Sequence, residues 1–206
     1  MSTRKPIHHY CIFETVFGFC GIAWVVDPTG LPVVTRFQLA SATAASTERL
    51  VMKRLDGLPL QRHAVSGLAD QDASAGGASI AILIDDIRRY FGGAKIDFSA
   101  VAVDLSSQDD VFRQIYAQVL RLPWGVTTTY GALARALGAG PEKARDVGQA
   151  MAKNPIPLII PCHRVLAAGN KIGGFSAPGG SVSKARMLEL EGVVMAVAEP
   201  AQQSLF

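Results

Sequence analysis

The chain has 206 residues, 49% hydrophobic and 18% charged, a globular balance that excludes a disordered or fibrous protein and fits one ordinary domain or two small ones. It contains no apolar run of roughly 18 residues, the length a membrane-spanning helix needs. Three cysteines, an odd number, argue against a disulfide scaffold and for a reducing, cytoplasmic setting. The opening Met1-Ser2-Thr3-Arg4-Lys5-Pro6 reaches His8 and His9 before any apolar core, unlike a secretory leader. The net charge of +3 is unevenly placed: residues 1–106 carry 10 basic and 10 acidic side chains, residues 107–206 carry 10 and 7. Such a surplus suits a half that meets a polyanion, although three charges alone decide nothing.

Residues 1–106 read as a small mixed α/β unit. Tyr10–Val16, Phe19–Val26 and Val33–Ala40 are rich in β-branched and aromatic residues and are separated by Gly18 and by Asp27-Pro28-Thr29-Gly30, the pattern of an antiparallel meander. Thr47–Leu55 is a short helix and Asp70–Ala78 a polar loop. Ile80, Leu83, Ile84, Ile87 and Phe91 recur at helical spacing until Gly92-Gly93 ends the run. Lys95–Leu105 reads as a strand or connector. Nothing in this half suggests chemistry.

Residues 107–206 begin on a helix-start signal, Ser106-Ser107-Gln108-Asp109-Asp110, whose acids suit the positive end of the helix dipole. Val111, Ile115, Val119 and Leu122 mark an apolar stripe that Pro123 and Gly125 stop. Thr127–Thr129 lead into a second helix, Tyr130–Leu137, and Pro141 opens a third in the first-turn position where its missing N–H costs nothing. On that third helix Ala144, Val147 and Met151 face one way and Glu142, Arg145, Gln149 and Lys153 another. Two short helices joined by a glycine-containing turn make a helix-turn-helix candidate, a weak signal by itself.

The run Asn154-Pro155-Ile156-Pro157-Leu158-Ile159-Ile160-Pro161 contains three prolines, so it should be extended and stiff. It ends by presenting Cys162, His163 and Arg164 in succession. A cysteine acts as a nucleophile in its thiolate form, which a neighbouring base favours. Adjacent residues on an extended chain point to opposite sides, so His163 would reach the sulfur through a bridging water, with a buried carboxylate orienting the imidazole. The plainer alternative is that Cys162 is a buried structural thiol. Cys11, Cys20, His8, His9 and His63 show no paired-ligand spacing, so no metal is expected.

Five ordered motifs over about residues 107–193 resemble the O6-alkylguanine-DNA alkyltransferases (methylated-DNA–protein-cysteine methyltransferases). They are Thr129-Tyr130-Gly131-Ala132-Leu133-Ala134, Ala144-Arg145-Asp146-Val147-Gly148-Gln149-Ala150-Met151, the Pro161-Cys162-His163-Arg164 run, Gly173-Gly174-Phe175-Ser176 with Gly179-Gly180, and Lys184–Gly192. The opening Phe13-Glu14-Thr15 and Gly21-Ile22-Ala23 are similar in pattern. The resemblance implies an α/β (α+β) protein with a ribonuclease H-like α/β domain at 1–106 and a winged-helix-like DNA-binding domain at 107–206. It implies a monomer that enters the minor groove of duplex DNA, turns O6-alkylguanine (alternatively O4-alkylthymine) out of the stack, and moves the alkyl group irreversibly to its own cysteine, once per molecule and without a cofactor.

Carried over by position, Cys162 is the acceptor, His163 the base, Glu191 its orienter, Tyr130 a group beside the backbone phosphate and departing guanine, and Asn154 a brace for the active-site turn. Arg145 is the side chain that replaces the flipped base, with Gln149, Lys153 and Arg164 as further DNA contacts. Met151, Pro157 and Phe175 line the pocket, and Ser176 donates to the guanine oxygen. Taken singly, Arg145 could be a solvated charge, Tyr130 a core aromatic and Glu191 a surface carboxylate. The closing loop, Phe175-Ser176-Ala177-Pro178-Gly179-Gly180, is two residues longer than the family's Tyr-Ser-Gly-Gly, which leaves the pocket's size and the accepted alkyl groups open. Two competing readings are a lesion-binding relative that transfers nothing, in which the acceptor cysteine is replaced, and a helix-turn-helix regulator with Gln149 and Lys153 as base readers.

Overall fold

The computed structural model describes residues 5–68, 76–138, 140 and 143–194. The fold is mixed α/β. The expected meander is present as β1 (His8–Thr15), β2 (Gly18–Val26) and β3 (Pro32–Ser41), all antiparallel. A short strand that the sequence did not announce, β4 (Leu60–Arg62), pairs parallel with β1 and completes the order β3-β2-β1-β4. Its three residues are too few for any alternation to register.

β2 is buried along most of its length because helices cover both faces of the sheet, so it reads as a continuous apolar run. α1 (Ala44–Arg54) starts three residues earlier than its apolar pattern suggests, on a capping box between Thr43 and Ser46. It packs Val51 and the adjacent Leu55 on Tyr10 and Ala23. Gly21 permits that approach, since a Cβ there would lie 2.6 Å from Val51 Cγ2.

α2 (Gly77–Phe91) covers the other face with Ile80, Ile84, Ile87 and Phe91 against Cys11, Phe13, Ile22 and Trp24, and it ends at Gly92 as expected. Gly77 and Ala78, read as loop, belong to this helix; positions 70–75 of the expected polar loop lie outside the described residues. The Lys95–Leu105 stretch is a connector. It touches the sheet edge through one bridge, Val103 beside Val34, with hydrogen bonds from Val34 N to Ala102 O and from Asp104 N to Val34 O.

α3 (Asp110–Val119) begins where the acidic signal placed it, with Asp109 Oδ1 accepting from Phe112 N at 2.8 Å. Its buried stripe is shifted by one residue from the expected one. Phe112, Ile115, Tyr116 and Val119 face inward, while Val111 is 46% exposed, because the two large aromatic side chains take the core positions. α4 (Tyr130–Ala136) and α5 (Ala144–Lys153) form the helical pair. α5 is described only from residue 143, so the expected start at Pro141 lies outside the described residues. β5 (Thr128–Thr129) and β6 (Val165–Leu166) pair parallel, and α6 (Gly180–Leu190) closes the chain. One hydrophobic core runs without a break from Cys11 and Trp24 through Tyr90 and Tyr116 to Cys162 and Met187, so both halves of the chain share an interior. Among the described residues no helix is long and apolar enough to cross a membrane.

Tyr116 fixes α3 to the end of α5 through a buried hydrogen bond from its hydroxyl to Ala150 O at 2.7 Å. Tyr116→Phe removes the donor and keeps the ring. Urea denaturation should show a loss of about 1 kcal/mol with the m-value unchanged.

Candidate active site

The segment after α5 breaks the helix as its prolines require, but it does not run straight. Asn154, which precedes Pro155, is forced out of the helical region (φ −49°, ψ 118°). Its amide then closes a turn: Nδ2 donates to Ile160 O (2.9 Å) and Oδ1 accepts from Ile156 N (3.0 Å), while Ile160 N donates to Ile156 O (2.9 Å). Leu158, buried inside this turn, has a φ of 78°, a left-handed conformation that costs a non-glycine residue about 1–2 kcal/mol and that the closed turn enforces. The backbone is anchored to the sheet by Phe37 N donating to Pro155 O (3.1 Å). Cys162–Arg164 then form one turn of 3-10 helix instead of the extended chain expected, so successive side chains fan around an axis.

That turn sends His163 and Arg164 inward. Glu191, at the end of α6, is 4% exposed and receives five hydrogen bonds: from Arg164 Nε to Oε2 (2.8 Å), Arg164 Nη2 to Oε1 (2.9 Å), His163 Nε2 to Oε1 (2.7 Å), Tyr90 Oη to Oε1 (2.8 Å) and Gly125 N to Oε2 (3.1 Å). These donors hold its carboxyl well below the ordinary carboxylate range despite the opposing effect of burial. Gly125 sits at φ 72°, and a Cβ there would come 2.8 Å from Glu191 O, so glycine is what lets the backbone approach this close. The arrangement excludes the reading of Glu191 as a surface carboxylate. It also corrects the expectation for Arg164, which is not a DNA contact: it is 7% exposed, forked onto Glu191, and donates from Nη1 to Leu122 O (2.5 Å).

With Nε2–H given to Glu191, the neutral imidazole of His163 carries its lone pair on Nδ1, which is buried and has no protein partner. Burial, reinforced by the Arg164 and Lys184 charges, lowers the His163 pKa even though Glu191 works the other way, so the ring rests neutral. Cys162 lies on the same turn, 4% exposed. Burial raises its thiol pKa, against a hydrogen bond from Asn154 and the charge of Lys184. The resting sulfur is therefore a thiol, and forming the thiolate requires a base.

A cleft of about 420 Å3 opens over Cys162, lined by Tyr130, Gly148, Met151, Ala152, Gly174, Phe175 and Ser176. Pro157 lines a narrower recess that adjoins this cleft, where Cys162, Met151, Phe175 and Ser176 meet Phe37, Gln38, Leu39 and Arg54 of the sheet side. Tyr130 stands at the first position of α4, whose N-cap Thr129 accepts from Ala132 N, and both burial and the neighbouring Cys162 raise its phenol pKa. The Ser176 hydroxyl donates to Ala152 O at 2.9 Å, which ties the closing loop to α5. Arg145, Gln149 and Lys153 are exposed on the outer face of α5.

Two side chains escaped the sequence reading. Tyr90, fully buried on α2, comes from the half in which no chemistry was expected; its only sequence signal is a tyrosine beside Phe91, off the isoleucine stripe. Lys184 is 1% exposed on α6, donates from Nζ to Val165 O (2.6 Å) and lies 5.9 Å from the centre of the Tyr130 ring. Burial lowers its pKa to about 8. Its signal is a lysine at helical spacing from the apolar Met187 and Leu188.

The family model described as "6-O-methylguanine DNA methyltransferase, DNA binding domain" matches residues 110–193. A protein of Metallosphaera sedula named methylated-DNA–protein-cysteine methyltransferase is 36% identical over 150 residues, 73% of this chain and 85% of that one. A relative of the same name from Methanothermobacter thermautotrophicus is 37% identical over 111 residues, 54% of this chain; the match spans only 60% of the relative's length. The crystal structure of Mycobacterium tuberculosis OGT in complex with DNA superposes with a TM-score of 0.62 at 28% identity, covering 89% of this chain and 92% of that one.

The Glu191 network sets an acid sensitivity. The unfolded chain takes up a proton at His163 near 6.5, where the native imidazole stays neutral, and another at Glu191 near 4.5, where the native carboxylate stays charged. The unfolded state thus binds more protons in both intervals, and stability must fall as the pH drops below about 6.5 and again below 4.5. Urea midpoints measured against pH should show this decline, and Glu191→Gln, less stable at neutral pH, should show a shallower acid slope.

Proposed function

The chain belongs to the methylated-DNA–protein-cysteine methyltransferases, and we propose that it acts as one: it binds duplex DNA through the minor groove as a monomer, takes O6-alkylguanine into the cleft over Cys162, and accepts the alkyl group on that sulfur. The observation that carries this reading is Cys162 in the floor of an apolar cleft, on the same turn as a neutral, oriented imidazole.

The Cys162 proton passes to His163 Nδ1 through a bridging water, and Glu191 holds Nε2–H and balances the imidazolium that forms. The sulfur displaces guanine at the alkyl carbon. The S–C bond forms as the C–O6 bond breaks, and its electron pair leaves with the guanine, which takes up one proton. Tyr130, at the cleft wall, donates toward the departing base. Asn154 holds the turn that carries the sulfur, and Met151 and Phe175 enclose the base. Ser176 reaches the guanine oxygen by releasing Ala152 O. The resulting thioether is not hydrolysed, so each molecule acts once, with no cofactor consumed. The exposed Arg145 fills the gap left by the flipped base, where its planar head can stack and hydrogen-bond, and Gln149 and Lys153 flank it.

A lesion-binding protein without transfer fits less well, because a thiol at the cleft floor, a base and an orienting carboxylate have no part in binding alone. A helix-turn-helix regulator leaves the same cluster unexplained.

Mixing the protein with duplex DNA bearing one O6-methylguanine should add one methyl group to the intact mass, mapped to the Cys162 peptide. Cys162→Ser should abolish the gain and retain lesion binding; a methylated Cys162→Ser protein would place the acceptor elsewhere. Arg145→Ala should weaken binding to the lesion duplex roughly tenfold and binding to undamaged duplex less, as for the loss of hydrogen bonds from a charged group. Equal losses on the two duplexes in a titration at fixed salt would reduce Arg145 to a phosphate contact.

A further inference from the structure

We infer that Tyr90 is a positioning residue for alkyl transfer, donated to the reaction centre by the N-terminal half of the chain. The inference rests on the proposed function and deepens it. Tyr90 Oη donates to Glu191 Oε1 (2.8 Å) and lies 3.3 Å from His163 Nε2, so it adjoins both members of the pair that must hold the proton. Its ring is fully buried, with Trp124 edge-on (centroids 5.2 Å apart), Phe91 edge-on (5.3 Å) and Phe98 tilted beside it (5.9 Å). Those three aromatic contacts hold the ring in place with its hydroxyl on the carboxylate.

Glu191 Oε1 serves two demands. It must accept Nε2–H strongly enough to fix the tautomer that leaves the His163 lone pair on Nδ1. It must not accept so strongly that the imidazole rests protonated, because an imidazolium cannot take the Cys162 proton. The Tyr90 hydroxyl moderates that oxygen by hydrogen bonding to the same atom. The charged and titratable groups facing His163 are Glu191, which favours its protonation, and Arg164 and Lys184, which oppose it. Tyr90 is the neutral donor among them. Burial and the Glu191 charge hold the phenol far above its ordinary pKa, so it remains a donor throughout.

Removing this donor should strengthen the pull of Glu191 on the His163 proton. The test is the single-turnover transfer rate of Tyr90→Phe and wild type, measured against pH on the lesion duplex. In the wild type the acid limb reports protonation of His163. In Tyr90→Phe it should move up by about one pH unit, the expected effect of losing one hydrogen bond to a charged group, with transfer on that limb about tenfold slower and the high-pH plateau little changed. Trp124→Phe disturbs the packing of the same ring and leaves the donors to Glu191 in place, and it should lower the melting temperature without moving the limb. A Tyr90→Phe profile that superposes on the wild type, or a Trp124→Phe limb that shifts equally, would overturn the inference.

Should Tyr90→Phe fail to fold, nitrogen-15 spectra of His163 in the wild type decide the matter. A neutral Nε2–H imidazole at neutral pH is expected, and a doubly protonated ring would overturn it. A wild type that binds the lesion and transfers nothing would defeat the proposed function instead. A wild type that transfers, with Tyr90→Phe unchanged, would defeat this inference alone.

Discussion

The carboxylate of Glu191 is the interaction on which the site depends. A lone carboxylate is too costly to bury, and this one is tolerable because an arginine fork, an imidazole, a phenol and a backbone N–H all converge on it. Those donors come from three places: α2, the loop before β5, and the 3-10 turn that carries the cysteine, which supplies both His163 and Arg164. The carboxylate therefore fixes where α2, the turn and the end of α6 stand relative to one another. Burial keeps the His163 imidazole neutral, and the Arg164 charge adds to that effect while it offsets the carboxylate. An arginine at position 164 that reached for DNA would leave Glu191 to His163, Tyr90 and Gly125 and would shift the imidazole toward its protonated form.

The same burial acts differently on the three groups around the sulfur. It raises the Cys162 thiol, lowers His163, and lowers Lys184 to about 8. Each shift favours the uncharged form, which leaves Cys162 and His163 neutral at rest beside a Lys184 that still carries its charge at neutral pH. Burial pushes Cys11 and Cys20 up to about 12, and neither Arg88 beside Cys11 nor the hydrogen bond from Thr15 to Cys20 offsets it, so both thiols are inert. What distinguishes Cys162 is the set of groups that act on its sulfur, the Asn154 amide and the Lys184 charge, together with an adjacent base, and all of these are delivered by the turn and by α6. A thiol that stays neutral until a base removes its proton is the less reactive form toward oxidants and electrophiles.

Much of this was legible in the sequence. The meander, the α2 stripe and the Asp109 cap follow from periodicity and local hydrogen-bonding chemistry, which the tertiary fold did not override. That Cys162 and His163 share one local element was legible because they are adjacent in the chain. Arg164 was misplaced because its role depends on direction: extended chain would have sent it outward, and the 3-10 turn sends it in. Prolines forbid helix but do not choose between a straight run and a closed turn. Here the choice falls to the Asn154 amide and to Leu158 held at positive φ, neither of which has a signature in composition. Tyr90 was invisible for a different reason. Its contact spans 101 positions to Glu191, and nothing local in Arg89-Tyr90-Phe91 distinguishes a donor to a distant carboxylate from an ordinary core aromatic.

The shared core gives the N-terminal half its place in the chemistry. The sheet faces the site through Phe37, whose N–H holds Pro155, and through the recess containing Gln38, Leu39 and Arg54; α2 reaches the carboxylate through Tyr90. Both links act on the 3-10 turn's support and neither lies in the cleft where the base would bind. The helical half alone contains Cys162, His163, Glu191 and the exposed face of α5, so under the proposed function recognition and reaction are written there. The sheet half sets the position of the turn and the basicity of its imidazole. Changes in the first half should therefore alter how readily the Cys162 proton leaves, while changes on α5 should alter which DNA is held.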